Sequence, residues 1–67
     1  MNLVATNTRR IIGERGLKHR YVAEQAGINH KLFSAMLTGR KIIREEHIVS
    51  IANALDIEPS ELLRPCT

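Results

Sequence analysis

Five side chains between residues 29 and 35 have the types and spacing needed to contact the edges of DNA base pairs: Asn29, His30, Lys31, Ser34 and Ala35. Lys31 can donate hydrogen bonds to O6 and N7 of guanine, His30 can donate or accept according to its tautomer, and Ala35 can contact a thymine methyl group. Ser34 is short and can also donate or accept. Asn29 could pair with adenine only if its side chain does not cap a helix, so it ranks below His30 and Lys31.

Basic residues lie on both sides of this segment. His19 and Arg20 precede it, and Arg40, Lys41 and Arg44 follow it. A helix that starts near His19 would also direct backbone N–H groups and the positive end of its dipole toward a phosphate. One surface Arg or Lys taken alone is most often only solvated. As a set around the same segment, these five residues predict contacts with the phosphate backbone.

Two short helices that meet at an angle are predicted to hold these side chains in place. Apolar residues recur at helical spacing over residues 19–26 and 29–37, and Gly27 allows the turn between the two segments. Ala23 must be small because the second helix crosses close to it. The residues expected to lock the crossing by burial are Val22, Ile28, Phe33 and Met36. A second helix held rigidly on a first can enter the major groove of DNA.

The rest of the chain predicts three more helices and no sheet. A first helix is expected over about residues 3–15, ended by Gly16, and a fourth opens with Glu45 and Glu46. Pro59 marks the first turn of a short last helix, where its missing N–H is tolerated. The expected fold is all-α, a compact five-helix arrangement with short loops, and the 67 residues form a single domain over 1–67.

The charge is distributed unevenly along the chain. Residues 18–44 carry a net charge of +5, whereas residues 45–67 carry −4 and residues 1–17 carry +2. The basic charge therefore lies in the segment that carries the candidate DNA contacts. A polyanion would be attracted to one side of the molecule.

Several other classes of function find no support in the sequence. No apolar run approaches the roughly 18 residues that span a membrane, and no secretory signal is visible, so a cytoplasmic protein is expected. Cys66 is the one cysteine and can form no internal disulfide, although an intermolecular bridge is possible. The histidines are too scattered for a metal site, and no phosphate-binding glycine loop occurs. We therefore expect no enzyme activity, no cofactor and no small-molecule substrate.

From about residue 7 to residue 63, the chain resembles the lambda-repressor-like helix-turn-helix family, the group of the phage Cro and C1 repressors. The residues that carry the resemblance are Val22-Ala23, Gly27-Ile28, Phe33, Met36, Gly39-Arg40 and the stretch IVSIANALDIEPSELL. The resemblance implies a sequence-specific regulator of transcription, most often a repressor, that binds a near-palindromic double-stranded DNA operator as a homodimer. It also implies the same division between base-reading residues on the third helix and phosphate contacts on both sides of it.

The chain departs from the family pattern at three places. His19 stands where many members have a glutamine, and Leu32 where they more often have a small polar residue. Leu32 is therefore expected either to be exposed or to contact a thymine methyl group or a sugar. Ile12 and Leu37 replace an Arg–Glu ion pair, and such a joint apolar replacement can be neutral or stabilising. We therefore expect Ile12 and Leu37 to touch in the core.

Two alternatives to a DNA-binding regulator remain open on the sequence alone. Some helix-turn-helix domains bind a partner protein, as antitoxins do, and contact DNA only secondarily. RNA binding is a weaker alternative because stacking aromatic residues are almost absent. For a homodimer, the expected contact patch is formed by Ile57, Leu62 and Leu63, although either leucine could instead belong to the core.

Overall fold

Five α-helices make up the computed structural model, which describes residues 3–65. In chain order they are α1 (Leu3–Arg15), α2 (His19–Ala26), α3 (His30–Leu37), α4 (Glu45–Leu55) and α5 (Pro59–Leu62). No strand occurs in this range. The prediction of an all-α, five-helix fold is confirmed, while Cys66 lies outside the described residues.

Four of the five helices end with one residue in the left-handed conformation, namely Gly16, Gly27, Gly39 and Asp56. In each case the N–H of the next residue donates to the carbonyl five positions back. The four bonds join Leu17 to Ile12 (3.0 Å), Ile28 to Ala23 (2.9 Å), Arg40 to Ala35 (2.8 Å) and Ile57 to Ala52 (2.9 Å). This hydrogen-bonding pattern is the Schellman motif, which satisfies carbonyls that the helix end leaves without partners.

The hydrophobic core lies where α2 packs against both α3 and α4. Ala23 and Phe33 are completely buried, which agrees with the close crossing expected between α2 and α3. The other fully buried large apolar side chains are Val22, Met36, Ile51, Leu55 and Leu62. Each such side chain contributes roughly 1.5–3 kcal/mol through burial, so the angle between α2 and α3 is held mainly by packing.

Helix α1 packs against α3 through a side of the core without charged side chains. Ile12 and Leu37 are each only 2% exposed and belong to the same core cluster. Neither side chain points into solvent, as expected for two apolar residues that replace an ion pair together.

A buried amide ties the first helix to the last. Asn7 is 1% exposed, and its Nδ2 donates to the carbonyl oxygens of Leu62 and Arg64, each at 2.8 Å. Arg15, at the other end of α1, donates from Nη1 to the carbonyl oxygen of Leu55. The carbonyls of Leu62 and Leu55 end α5 and α4 and would otherwise lack intrahelical partners.

The three residues of the expected dimer patch differ in their exposure to solvent. Leu62 is completely buried, whereas Leu63 is 52% exposed, and Ile57 is half-buried against the core. Leu62 is therefore a core residue and is not available to a second copy of the chain. Among residues 3–65, no helix is long and apolar enough to cross a membrane.

Candidate nucleic-acid interface

The start of α3 is set by the side chain of Asn29. Its Oδ1 accepts hydrogen bonds from the backbone N–H groups of Lys31 (2.8 Å) and Leu32 (3.4 Å). This is the N-cap interaction, which supplies acceptors to the otherwise unpaired donors of the first turn. Because the amide oxygen is engaged in the cap, only the NH₂ group of Asn29 can face a base. The lower rank that the sequence suggested for Asn29 agrees with this geometry.

The turn between α2 and α3 is held by backbone hydrogen bonds as well as by side chains. Gly27 has φ +70°, and its N–H donates to the carbonyl of Glu24 at 3.1 Å. Ile28 comes next in the chain and is a half-buried anchor that packs on the core. The entry of the chain into α3 is therefore fixed from both sides, by Gly27 and by the Asn29 cap.

The side of α3 that faces away from the core carries the predicted base-reading residues. His30 and Lys31 are exposed, Ser34 and Ala35 are half-buried, and Leu32 is half-buried and packs against the core. Leu32 is therefore not fully exposed, which was one of the two outcomes expected for it, because part of its side chain packs on the core. Of the four predicted base-reading residues on this side of α3, Ser34 and Ala35 have short side chains, and all except Ala35 are polar.

A surface depression of about 410 Å³ runs along this side of α3. Its lining consists of His30, Lys31, Ser34, Ala35, Thr38 and Arg40. Four predicted base-reading residues and one predicted phosphate-binding residue therefore lie together. Asn29, His19, Arg20, Lys41 and Arg44 do not line it.

Thr38 is the lining residue that the sequence did not single out. It is the C-cap of α3, and its Oγ1 donates to the carbonyl oxygen of Ala35 at 3.1 Å. Helical spacing could have drawn attention to it, because Thr38 follows Ser34 by four positions and Lys31 by seven. Because Thr38 keeps a right-handed helical conformation, it stays on the same side of α3 as Lys31 and lines the same depression.

The first turn of α2 presents the other predicted phosphate contacts. The N-cap residue of this helix, Lys18, makes no side-chain hydrogen bond to the backbone N–H groups of its first turn. His19 and Arg20 are exposed. The His19 ring meets the buried Phe33 ring edge-on, with centroids 6.3 Å apart and an angle of 89° between the ring planes. This contact orients His19 at the start of α2.

The basic turn after α3, residues 40–44, is anchored at both of its ends. Arg40 and Lys41 both donate their backbone N–H groups to the carbonyl of Ala35, at 2.8 and 3.2 Å. Ile43 is buried, and the N–H of Arg44 donates to Nδ1 of His47 at 3.4 Å. The three cationic side chains of this turn are exposed on a fixed backbone.

The residues predicted to contact phosphates take part in neither of the ion pairs found in the described structure. Within residues 3–65, the two ion pairs join Arg10 to Glu14 and Arg64 to Glu61. Neither pair involves His19, Arg20 or the basic turn. No group of three or more metal-ligating side chains close enough to hold an ion occurs in the same range.

A second depression, on the surface where α4 meets α5, has the opposite charge. It measures about 520 Å³, and its lining is Asn53, Asp56, Ile57, Glu58, Pro59 and Glu61. Three carboxylates line it and no Lys or Arg does. Three of the acidic groups from the last part of the chain therefore lie on a depression separate from the basic one.

Comparison with known proteins agrees with this arrangement. The sequence model of a family described as "Cro/C1-type HTH DNA-binding domain" matches residues 7–65. The fold is similar to the crystal structure of the restriction-modification controller protein C.AhdI from Aeromonas hydrophila, with a TM-score of 0.84. The two sequences are 26% identical, and the match covers 91% of this chain and 92% of that one. No curated protein matches the chain in sequence.

Proposed function

The chain belongs to the family of Cro/C1-type HTH DNA-binding domains, and on that basis we propose that it is a sequence-specific regulator of transcription that inserts α3 into the major groove. The observation that supports this most directly is the depression along α3, whose lining combines His30, Lys31 and Arg40 with small side chains. The likeness to a restriction-modification controller supports a regulatory role.

The size of α3 suits the groove. A helix is about 10–12 Å across with its side chains, and the major groove of B-DNA is about 12 Å wide. The short side chains of Ser34 and Ala35 allow the helix axis to approach the base edges closely. Lys31 then donates to guanine, Ala35 contacts a thymine methyl group, and His30 donates or accepts at the helix start.

Affinity comes mainly from the phosphates. The exposed side chains of His19, Arg20, Lys41 and Arg44 lie on two fixed backbone segments on either side of α3 in the chain. Each phosphate they neutralise releases condensed counterions, so binding weakens as salt rises. As a repressor, the protein would occupy an operator that overlaps a promoter and exclude the polymerase from it.

A homodimer is part of the same proposal. One domain of this size makes few base contacts, and a dimer that covers two half-sites about one DNA turn apart multiplies them. The exposed Leu63, which follows α5, and the half-buried Ile57, which precedes it, are the residues of the expected patch that remain for a second copy. Leu62 takes no part in it because it is in the core.

Selection of bound sequences from a random duplex library tests the proposal. We expect an enriched inverted repeat, and an affinity for random duplex whose logarithm falls with the logarithm of salt by about 0.9 per phosphate contact. A library with no enriched sequence and a weak, salt-independent interaction would contradict DNA binding. That outcome would favour the protein-interaction module that the sequence left open.

A further inference from the structure

The four Schellman helix ends differ in the residue directly after the left-handed one. After α1, α2 and α4 this residue is Leu17, Ile28 or Ile57, and each of these apolar side chains is half-buried against the core. Such an apolar contact back onto the helix commonly accompanies the Schellman motif. After α3 the equivalent residue is Arg40, which is exposed. The same backbone motif therefore presents a cation to solvent where the other three present an anchor to the core.

Arg40 is held against the candidate base-reading surface. Its N–H donates to the carbonyl of Ala35 at 2.8 Å, and Arg40 lines the same depression as Ala35 and Lys31. Lys41 donates to the same carbonyl at 3.2 Å but does not line the depression. Two neighbouring cations on one anchored turn thus occupy different surroundings.

The depression offers many hydrogen-bond donors and few acceptors. No carboxylate lines it, and the side chains of Lys31 and Arg40 can only donate. The hydroxyl hydrogen of Thr38 is used by the Ala35 carbonyl, and that carbonyl already accepts from three donors in all. Guanine presents two acceptors, N7 and O6, in the major groove, and a guanidinium can engage both at once.

We infer that Arg40 reads a guanine through these two acceptors, rather than binding a phosphate as its place in the basic turn suggested. This inference rests on the proposed DNA-binding function and extends the base-reading surface beyond the end of α3. Lys41 and Arg44 remain phosphate contacts. Thr38 lies between the two ends of this surface and presents only acceptor capacity.

The experiment compares Arg40→Ala, Arg40→Lys and the matched control Lys41→Ala with the wild type. Each is put through the random duplex selection, and each is then titrated against the selected operator and against random duplex at several salt concentrations. All three substitutions change exposed side chains and keep the backbone bonds to Ala35, and melting curves check that the variants fold equally well.

For Arg40→Ala we expect loss of the guanine preference at one operator position and a ~10- to 100-fold weaker affinity for the operator, with a much smaller change for random duplex. Arg40→Lys should recover only part of the preference, because an ammonium cannot make the two-pronged contact. Lys41→Ala should weaken both duplexes to a similar extent and lower the salt slope by about 0.9.

Equal weakening of both duplexes by Arg40→Ala, with the full salt-slope loss seen for Lys41→Ala and an unchanged operator preference, would overturn the assignment to a base while leaving the proposed function intact. A wild-type selection with no enriched sequence would instead overturn the function, and the inference with it.

Discussion

Two adjacent isoleucines show how much the surroundings of a residue matter. Ile42 is 80% exposed, whereas Ile43 is 7% exposed and closes the core beneath the basic turn. From the sequence both are the same residue type in the same loop. Their separation depends on the fold of the turn around the Ala35 carbonyl.

We expect Ile43→Ala to lower the free energy of unfolding by about 2–5 kcal/mol, because it leaves a cavity in the core. Ile42→Ala should change it by no more than about 0.5 kcal/mol, since the side chain is mostly in water. Urea titration monitored by circular dichroism measures both variants. If both variants lost the same free energy of unfolding, the result would contradict the difference in burial between Ile43 and Ile42.

Asn7 is the residue that sequence reasoning missed most completely. The helical pattern of α1 was visible, but the partners of the Asn7 amide lie 55 and 57 positions away in the chain. A polar residue within an apolar helix gives no sign of which distant carbonyl it will meet. Thr38, by contrast, follows Lys31 by seven positions, a spacing that places both on one side of a helix, so it could have been found from the sequence.

At the scale of the helices, prediction succeeded because the signals act over a few residues. Asn29 caps α3 within three positions, Gly27 ends α2 at once, and Pro59 starts α5, so each bound is explained by local chemistry. Asp56 is the exception, since it takes the left-handed conformation that a glycine takes at the other helix ends. Nothing in its residue type alone required this.

Two glycines provide a matched test of the turn between α2 and α3. Gly27→Ala is expected to cost about 1–2 kcal/mol of unfolding free energy, because its positive φ is strained for any residue with a β-carbon. Gly13→Ala, inside α1, should gain about 0.5–1 kcal/mol through helix propensity. No atom lies within 4 Å of either added β-carbon, so crowding contributes to neither result. Thermal unfolding that moves in the same direction for both variants would contradict a backbone requirement at Gly27.

The packing of α1 on α3 can be tested by restoring the ion pair that this chain lacks. Leu37→Glu alone should cost about 3–5 kcal/mol, as expected for a buried charge without a partner. If Ile12 and Leu37 touch, adding Ile12→Arg should recover a large part of that loss. A double-mutant cycle in urea gives the coupling energy, and a value near zero would show that the two side chains are not neighbours.

At the scale of the whole molecule, the individual residues of the candidate site could be predicted from the sequence, but which of them line the same depression could not. The charge skew and the residues on α3 were visible in the sequence, because composition and helical spacing are local properties. The inclusion of Arg40 in the α3 depression, and the absence of Lys41 from it, depend on where the chain goes after α3. In the same way, the packing of α5 decides that Leu62 lies in the core and Leu63 on the surface.

The oligomeric state provides the whole-molecule prediction. We expect Leu63→Glu to shift the protein from dimer to monomer in sedimentation equilibrium and to weaken binding to a full inverted repeat more than to a single half-site. Leu3→Glu, which changes a partly exposed leucine on α1, serves as the control and should leave both unchanged. A wild-type protein that stays monomeric at high concentration, with and without DNA, would contradict the dimer.

The tie between Asn7 and the carbonyl oxygens of Leu62 and Arg64 has a consequence for synthesis on the ribosome. The amide in α1 is made early, yet its two acceptors are among the last residues of the described chain to leave the exit tunnel. A buried donor without acceptors is costly, so the growing chain gains its full stability only after residue 64 has emerged. Folding of residues 3–65 is therefore expected to be completed only once both acceptors have emerged, rather than helix by helix.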